Sequence, residues 1–372
     1  MSNRQAIKDK GRWVIKVGSA LVTNDGAGLD VDFIGALARQ IIFLREQDVE
    51  VILVSSGAVA AGMAQLGINK RPEKVNQLQA AAAVGQATLI RHYEQAFAAA
   101  DFKLAQVLLT HSDIANRERY LNARSTLSTL LGLKVLAVVN ENDTVATDEI
   151  CFGDNDSLGA LVANLVDADL LLILTDQDGL YSKDPRVHKD AQLIKEAEAD
   201  DERLLAMASG GSVVGRGGMI TKLTAAQKAS RSGCSTVIAN GRTSDVLEHI
   251  FAGKQLGTLL NAKSRLASKK QWLAGQMKIC GAVTIDDGAK KVLQGSGKSL
   301  LPVGVRQVSG TFSRGELISC IDQAGVEIAR GLSNYNHLEA LKICGISSSD
   351  MADILGYRGE DELIHRDNMV LL

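Results

Sequence analysis

Apolar runs recur along the first two-thirds of the chain, at Trp13–Val17, Val51–Ser55, Leu104–Leu109, Val135–Val139, Leu170–Leu174 and Thr236–Ala239. Each is short, dominated by leucine and β-branched residues, and lacks strict polar alternation, as strands buried on both faces do. Between the runs the period becomes helical. Asp30–Arg45 places Phe33, Leu37, Ile41 and Leu44 on one face, and similar patterns cover Lys74–Ala100, Asp113–Leu131, Ser157–Val166 and Thr221–Ser232. Strands alternating with helices predict an α/β fold, a mostly parallel sheet sandwiched by helices. Ligands of such sheets bind beyond the carboxyl ends of the strands. The polar, glycine-bearing segments fall there: Lys16-Val-Gly-Ser, Ser55-Ser-Gly-Ala, Asn140-Glu-Asn-Asp and Thr175-Asp.

The pattern changes near residue 262. A polar, basic stretch follows, with Lys263, Arg265, Lys269 and Lys270. Beyond it come short strand-like segments at Ala282–Ile285, Leu300–Val305, Glu316–Ile321 and Glu327–Leu332, with helical stretches at Gly288–Leu293 and Tyr335–Ile343. This predicts a first domain over residues 1–262, a linker over 263–277, and a small, mostly β module over 278–372.

A length of 372 residues agrees with two domains. The net charge of −2 offers no general attraction to nucleic acid or anionic lipid. No apolar run reaches the roughly 18 residues of a membrane span, and the polar N-terminus is not a secretory signal. Cys151, Cys234, Cys280, Cys320 and Cys344 are scattered and form no C-x-x-C, which points to reduced thiols and a cytoplasmic protein without membrane association.

The chemistry concentrates in Asn140–Asp156, N-E-N-D-T-V-A-T-D-E-I-C-F-G-D-N-D, read as a loop opening from the fourth strand. Glu141, Asp143, Asp148, Glu149, Asp154 and Asp156 crowd like charges, which cost stability unless something cationic answers them. The answer is an ammonium, a metal, or lysines from elsewhere in the fold. Lys16, inside the apolar run Val14–Val17, either points into the strand-end cleft or snorkels at an edge. Lys222 follows a glycine-rich turn, which is a phosphate cradle at a helix start or a plain surface loop. Ser55 and Ser56 either cap a helix or bond a substrate, and the long turn from Thr175 could accept a nucleotide. Gly295-Ser-Gly-Lys-Ser299 mimics a P-loop but has Val292 where a glycine is required and Pro302 where a helix should run. Asp154–Gly159 fails as an EF-hand, with Leu165 at the bidentate position, and the six histidines are isolated, so no protein-held metal site is expected. Two lysines, a glycine-rich helix start, strand-end serines and an acidic loop suit the movement of a phosphoryl group between anions.

These motifs carry a family resemblance along essentially the whole chain. V-I-K-V-G-S at Val14–Ser19, V-S-S-G-A-V-A-A-G at Val54–Gly62, A-A-V-G-Q at Ala82–Gln86 and R-E-R-Y-L-N-A-R at Arg117–Arg124 resemble the amino-acid kinase family. L-I-L-T-D-Q-D-G-L-Y at Leu172–Tyr181 and G-G-M-I-T-K at Gly217–Lys222 do so too. N-E-N-D-T-V at Asn140–Val145 and F-G-D-N-D at Phe152–Asp156 resemble its glutamate 5-kinase branch. S-L-L-P-V-G-V at Ser299–Val305 and F-S-R-G-E at Phe312–Glu316 resemble a PUA domain.

The resemblance implies ATP-dependent phosphorylation of the γ-carboxylate of L-glutamate, the first step of proline biosynthesis, with Mg²⁺ arriving on the nucleotide and proline as feedback inhibitor. It implies that Lys16 and Lys222 stabilise the migrating phosphoryl group and that Asp156 orients both. Ser56, Asp143 and Asn155 would hold glutamate, with Asp143 near its ammonium. Lys16, Thr175, Asp176, Gly217, Gly218, Met219, Ile220, Thr221 and Lys222 would hold ATP. It also implies a homo-oligomer, and the labile product suits handover to the next enzyme of the pathway. PUA domains elsewhere contact RNA, but acidic residues outnumber basic ones over 278–372, which argues against RNA binding as the sole function. A kinase for another small acid, such as aspartate or N-acetylglutamate, is the nearest alternative. A proline sensor without catalysis has less support, since both lysines are present. One departure stands out: Gly215-Arg-Gly-Gly-Met219 has Arg216 where relatives usually carry a small polar residue.

Overall fold

The computed structural model describes residues 4–9, 11–23, 28–100, 102–146, 155–209, 218–262 and 279–372. The chain divides into two compact units, one of Met1–Ile114 with Ala123–Arg265 and the other of Ala115–Asn122 with Leu266–Leu372. The stretch read as a linker, 263–277, lies outside the described residues.

The first unit is built on eight strands: β1 (Arg12–Val17), β2 (Glu50–Val54), β3 (Leu104–Leu109), β4 (Leu136–Glu141), β5 (Leu170–Thr175), β6 (Glu196–Glu198), β7 (Ser235–Asn240) and β8 (Thr258–Asn261). Their order in the sheet is β3-β4-β2-β1-β5-β7-β8-β6. The first six in that order run parallel, and β8 turns antiparallel to β7. β4 and β5 are buried at every position, which accounts for their unbroken apolar runs. Six carboxyl ends therefore share one edge, and Lys16, paired with Val54 and Ile173, stands one residue from the end of the central strand.

The helices that position the site are α1 (Val31–Glu46), α2 (Ala58–Gln65), α3 (Val75–Phe97), α4 (Asp156–Leu165) and α5 (Met219–Ser230). Asp30 caps α1 through the backbone N–H of Phe33. The β2–α2 turn needs Gly57, whose φ of 102° is left-handed. α2 and α3 touch backbone to backbone: a Cβ on Gly62 would lie 1.7 Å from the Ala81 carbonyl oxygen, and one on Gly85 would lie 1.9 Å from that of Ala58. Gly85→Ala should therefore destabilise by about 1–3 kcal/mol or more, read as a lower urea midpoint. An unchanged midpoint would show that the helices part freely.

The second unit has its own five-stranded sheet, β10-β9-β11-β12-β13, from β9 (Gly281–Ile285), β10 (Val305–Gly310), β11 (Leu317–Ile321), β12 (Glu327–Leu332) and β13 (Met369–Leu371). It packs a separate core around Val283, Phe312, Ile318 and Tyr335.

Several expectations are corrected. Asn140 and Glu141 are not in a loop; they end β4, buried, opposite Leu108 and Leu109 of β3. The predicted strand Leu300–Val305 is a 3₁₀ turn at Pro302–Gly304, because proline fixes φ and has no N–H for a ladder, and the strand starts at Val305. The helix expected from Tyr335 starts at His337, where Asn336 and Glu339 form a capping box. The helix expected over Asp113–Leu131 is two, His111–Ala115 and Arg117–Gly132. Cys234, Cys280, Cys320 and Cys344 are free thiols, and Cys151 lies outside the described residues. No described helix is long and apolar enough to cross a membrane.

Candidate active site

Two lysines meet one carboxylate at the shared strand edge. Lys16 Nζ lies 2.6 Å from Asp156 Oδ1, and Lys222 Nζ lies 3.0 Å from Asp156 Oδ2. The Thr221 hydroxyl is 2.9 Å from the same Oδ2. Lys16 comes from β1, Asp156 opens α4, and Thr221 and Lys222 belong to the first turn of α5. The lysine side chains are 4% and 7% exposed and that of Asp156 is not exposed at all, so these charges interact with little screening. Burial alone would push the Asp156 carboxyl up. The charges of Lys16 and Lys222, and their hydrogen bonds, outweigh it and hold the carboxyl well below its ordinary range. The start of α4 adds a favourable helix dipole. Gly159 makes room for the arrangement, since a Cβ there would press on the Lys16 stem at 3.3 Å. Two ammonium groups held side by side on one carboxylate suit an incoming phosphoryl group.

The residue before Asp156 belongs to a second device. Asn155 occupies the N-cap position of α4, yet its side chain makes no cap bond. Its Nδ2 donates instead to the Ser55 carbonyl at 2.6 Å and to Asn140 Oδ1 at 2.7 Å. Asn140 Oδ1 also accepts from the Glu141 backbone N–H at 2.9 Å, and Asn140 Nδ2 donates to Gln86 Oε1 at 2.8 Å. Backbone groups fix every amide in this relay: the Ser55 carbonyl can only accept, and the Glu141 N–H can only donate. Asn155 therefore has both N–H groups engaged and offers only its Oδ1, an acceptor. Ser55 Oγ reaches the Tyr93 hydroxyl at 2.9 Å, and burial pushes that phenol up to about 12, so it stays neutral. Ser56 is buried at the same strand end, and Asp143 is half-buried in the turn that follows β4.

On the other side, Thr175 ends β5, buried, with its hydroxyl donating to Asp176 Oδ1 at 3.0 Å, and Asp176 is exposed. Gly218 caps α5 in extended conformation with no side-chain acceptor. Gly218 and Ile220 are exposed and Met219 is half-buried. Gly215, Arg216 and Gly217 lie outside the described residues, as do Asp148, Glu149 and Asp154.

The structure thus brings Lys16, Lys222, Asp156 and Thr221 into one cluster, and Asn155 into a network ending at the backbone beside Ser56. Sequence reasoning missed Gln86, Asn140 and Tyr93 as its members, although Gln86 and Asn140 both stood in motifs. It also missed the contact of Thr221 with Asp156, and Gly159. Glu141, unassigned from sequence, is buried with His111 Nδ1 at 4.0 Å.

Residues 11–240 match the model of the amino acid kinase family, and residues 281–355 match that of the PUA domain. A glutamate 5-kinase of Marinomonas sp. is 56% identical over 374 residues, covering all of both chains. One from Saccharophagus degradans is 56% identical over 373 residues with the same coverage. Among solved structures, a carbamate kinase from Giardia lamblia bound to AMP-PNP aligns with a TM-score of 0.49 at 18% identity, over 69% of this chain and 100% of that one. With the family model spanning most of the first unit and full-length relatives this similar, the chain belongs to the amino acid kinase family, in its glutamate 5-kinase branch, and carries a PUA domain.

Proposed function

We propose that this chain transfers the γ-phosphoryl group of ATP to the γ-carboxylate of L-glutamate, giving ADP and L-glutamyl 5-phosphate. The observation that carries the reading is the adjacency of Asn155 and Asp156. One residue belongs to an amide relay with a free acceptor, and the next bridges two buried lysines. Lys16 and Lys222 offset charge on the migrating group, and Asp156 holds their Nζ atoms. Thr175, Asp176 and the turn Gly217–Lys222 hold ATP, with the open start of α5 facing phosphate. Ser56, Asp143 and Asn155 hold glutamate, and the Asn155 Oδ1 suits a donor such as its ammonium. The attacking carboxylate is ionised at neutral pH, so no general base is needed. Mg²⁺ bound by the nucleotide phosphates would supply further charge neutralisation.

ADP release over glutamate, aspartate and N-acetylglutamate, with and without proline, tests the reading. Turnover with glutamate and its suppression by proline are expected; a preference for the acetylated acid would overturn it. Asp143→Ala and Asn155→Ala should each raise KM for glutamate about tenfold or more with ATP binding retained. Loss of ATP binding would show that these residues are misplaced. Gln86→Leu removes the acceptor of Asn140 Nδ2 and should raise KM for glutamate more than it lowers kcat, while Gln86→Glu, which keeps an acceptor, should restore KM. Equal kinetics for the two variants would remove Gln86 from the relay. The reading includes proline biosynthesis as pathway, a cytoplasmic location, a homo-oligomeric state, handover of the acyl phosphate, and domain limits at 262 and 278.

A further inference from the structure

We propose that the second unit contains an oxyanion-binding site of its own, built on Arg314 and Arg358. The two side chains line a cavity of about 300 Å³ with Asn334, Tyr335, Tyr357, Gly359 and Glu360. That volume suits a small ligand. Arg314 Nε is enclosed and meets no acceptor. Among the described residues neither arginine forms a hydrogen bond or an ion pair.

The nearby carboxylates have other partners. Glu316 accepts from the Ser313 backbone N–H at 2.9 Å. Glu339 accepts from the Asn336 N–H at 3.1 Å and from the Tyr357 hydroxyl at 2.9 Å. The tyrosines do not answer the charge either. Tyr335 is buried, its hydroxyl donates to the Glu360 carbonyl, and burial together with Tyr357 and Glu360 holds its phenol above the ordinary value, hence neutral. The backbone of Gly359 packs closely on this ring, since a Cβ there would fall 2.6 Å from that hydroxyl.

An enclosed guanidinium N–H without an acceptor carries a desolvation cost that an incoming oxyanion removes. The planar fork of arginine matches phosphate and carboxylate oxygens in pairs. A polyanion fits less well, since Glu360 shares the lining and acidic residues outnumber basic ones over 278–372. The expected ligand is a small molecule bearing a phosphate or a carboxylate, and the site uses none of the residues assigned to phosphoryl transfer.

Titration calorimetry on the full chain tests this, with inorganic phosphate in one arm and succinate in the other. Arg314→Gln and Arg358→Gln should each weaken binding in at least one arm about tenfold or more, with kinase turnover unchanged. The responding arm identifies the headgroup. Because Arg358 is exposed, its replacement keeps the test valid even if Arg314→Gln fails to fold. Isotherms indifferent to both substitutions in both arms would overturn the proposal, as would arginine-dependent binding of a single-stranded RNA oligomer alone.

Discussion

Replacing Lys222 by alanine should lower kcat about 10²–10³-fold while KM for glutamate changes little. The ammonium sits 3.0 Å from Asp156 in a site with almost no solvent, so its charge acts on a transferring group at low local dielectric. Its loss removes one of the two ammonium charges held at Asp156 for phosphate. Lys16→Ala should act in the same direction. The lysines share one carboxylate, so the double variant should fall short of the product of the single effects. Steady-state kinetics with ATP and glutamate decide the matter. Full turnover in both single variants would remove the lysines from catalysis and leave them as a structural pair.

Asp156→Ala should be the most damaging single change for stability. It leaves two ammonium groups buried at one strand edge without their counter-ion, and breaking a buried pair from one side costs about 3–5 kcal/mol. Activity should fall with it, since both Nζ atoms lose their holder. The wild type should also lose stability in acid. The folded Asp156 carboxyl titrates below its unfolded value, so its contribution is complete above the ordinary carboxylate range and declines as pH falls through and below it. Urea midpoints over acidic pH should decline more shallowly for Asp156→Asn than for the wild type. Parallel pH profiles, or a variant as stable as the wild type, would mean that the carboxylate is not the lysines' counter-ion.

The site was legible in part because its charged members sit inside apolar surroundings. A lysine at the third position of Val-Ile-Lys-Val, or a carboxylate before Ser-Leu-Gly-Ala-Leu-Val, needs a partner, and sequence alone supplies that demand. The relay was less legible. Gln86 lies on an alanine-rich helix where a polar residue reads as solvent-facing, and its role rests on a contact with Asn140, 54 residues away. Asn140 and Glu141 read as loop because polar residues after an apolar run end a strand in sequence. The neighbouring strand continues beside them and keeps them in the ladder.

The sequence by itself determined the α/β class, the order of the six parallel strands along the chain, the residues placed at their carboxyl ends, and the presence of a second, mostly β module toward the C-terminus. Those follow from local period and from the cost of burying charge, which any chain with this pattern must meet. Only the tertiary structure decided which carboxylate answers which lysine. Asp156 lies 140 residues from Lys16 and 66 from Lys222, and the sheet order that places β1 beside β5 and aims α4 and α5 at one edge is a long-range packing outcome. The direction of each amide in the relay was decided there too, because the backbone groups that fix it come from separate strands.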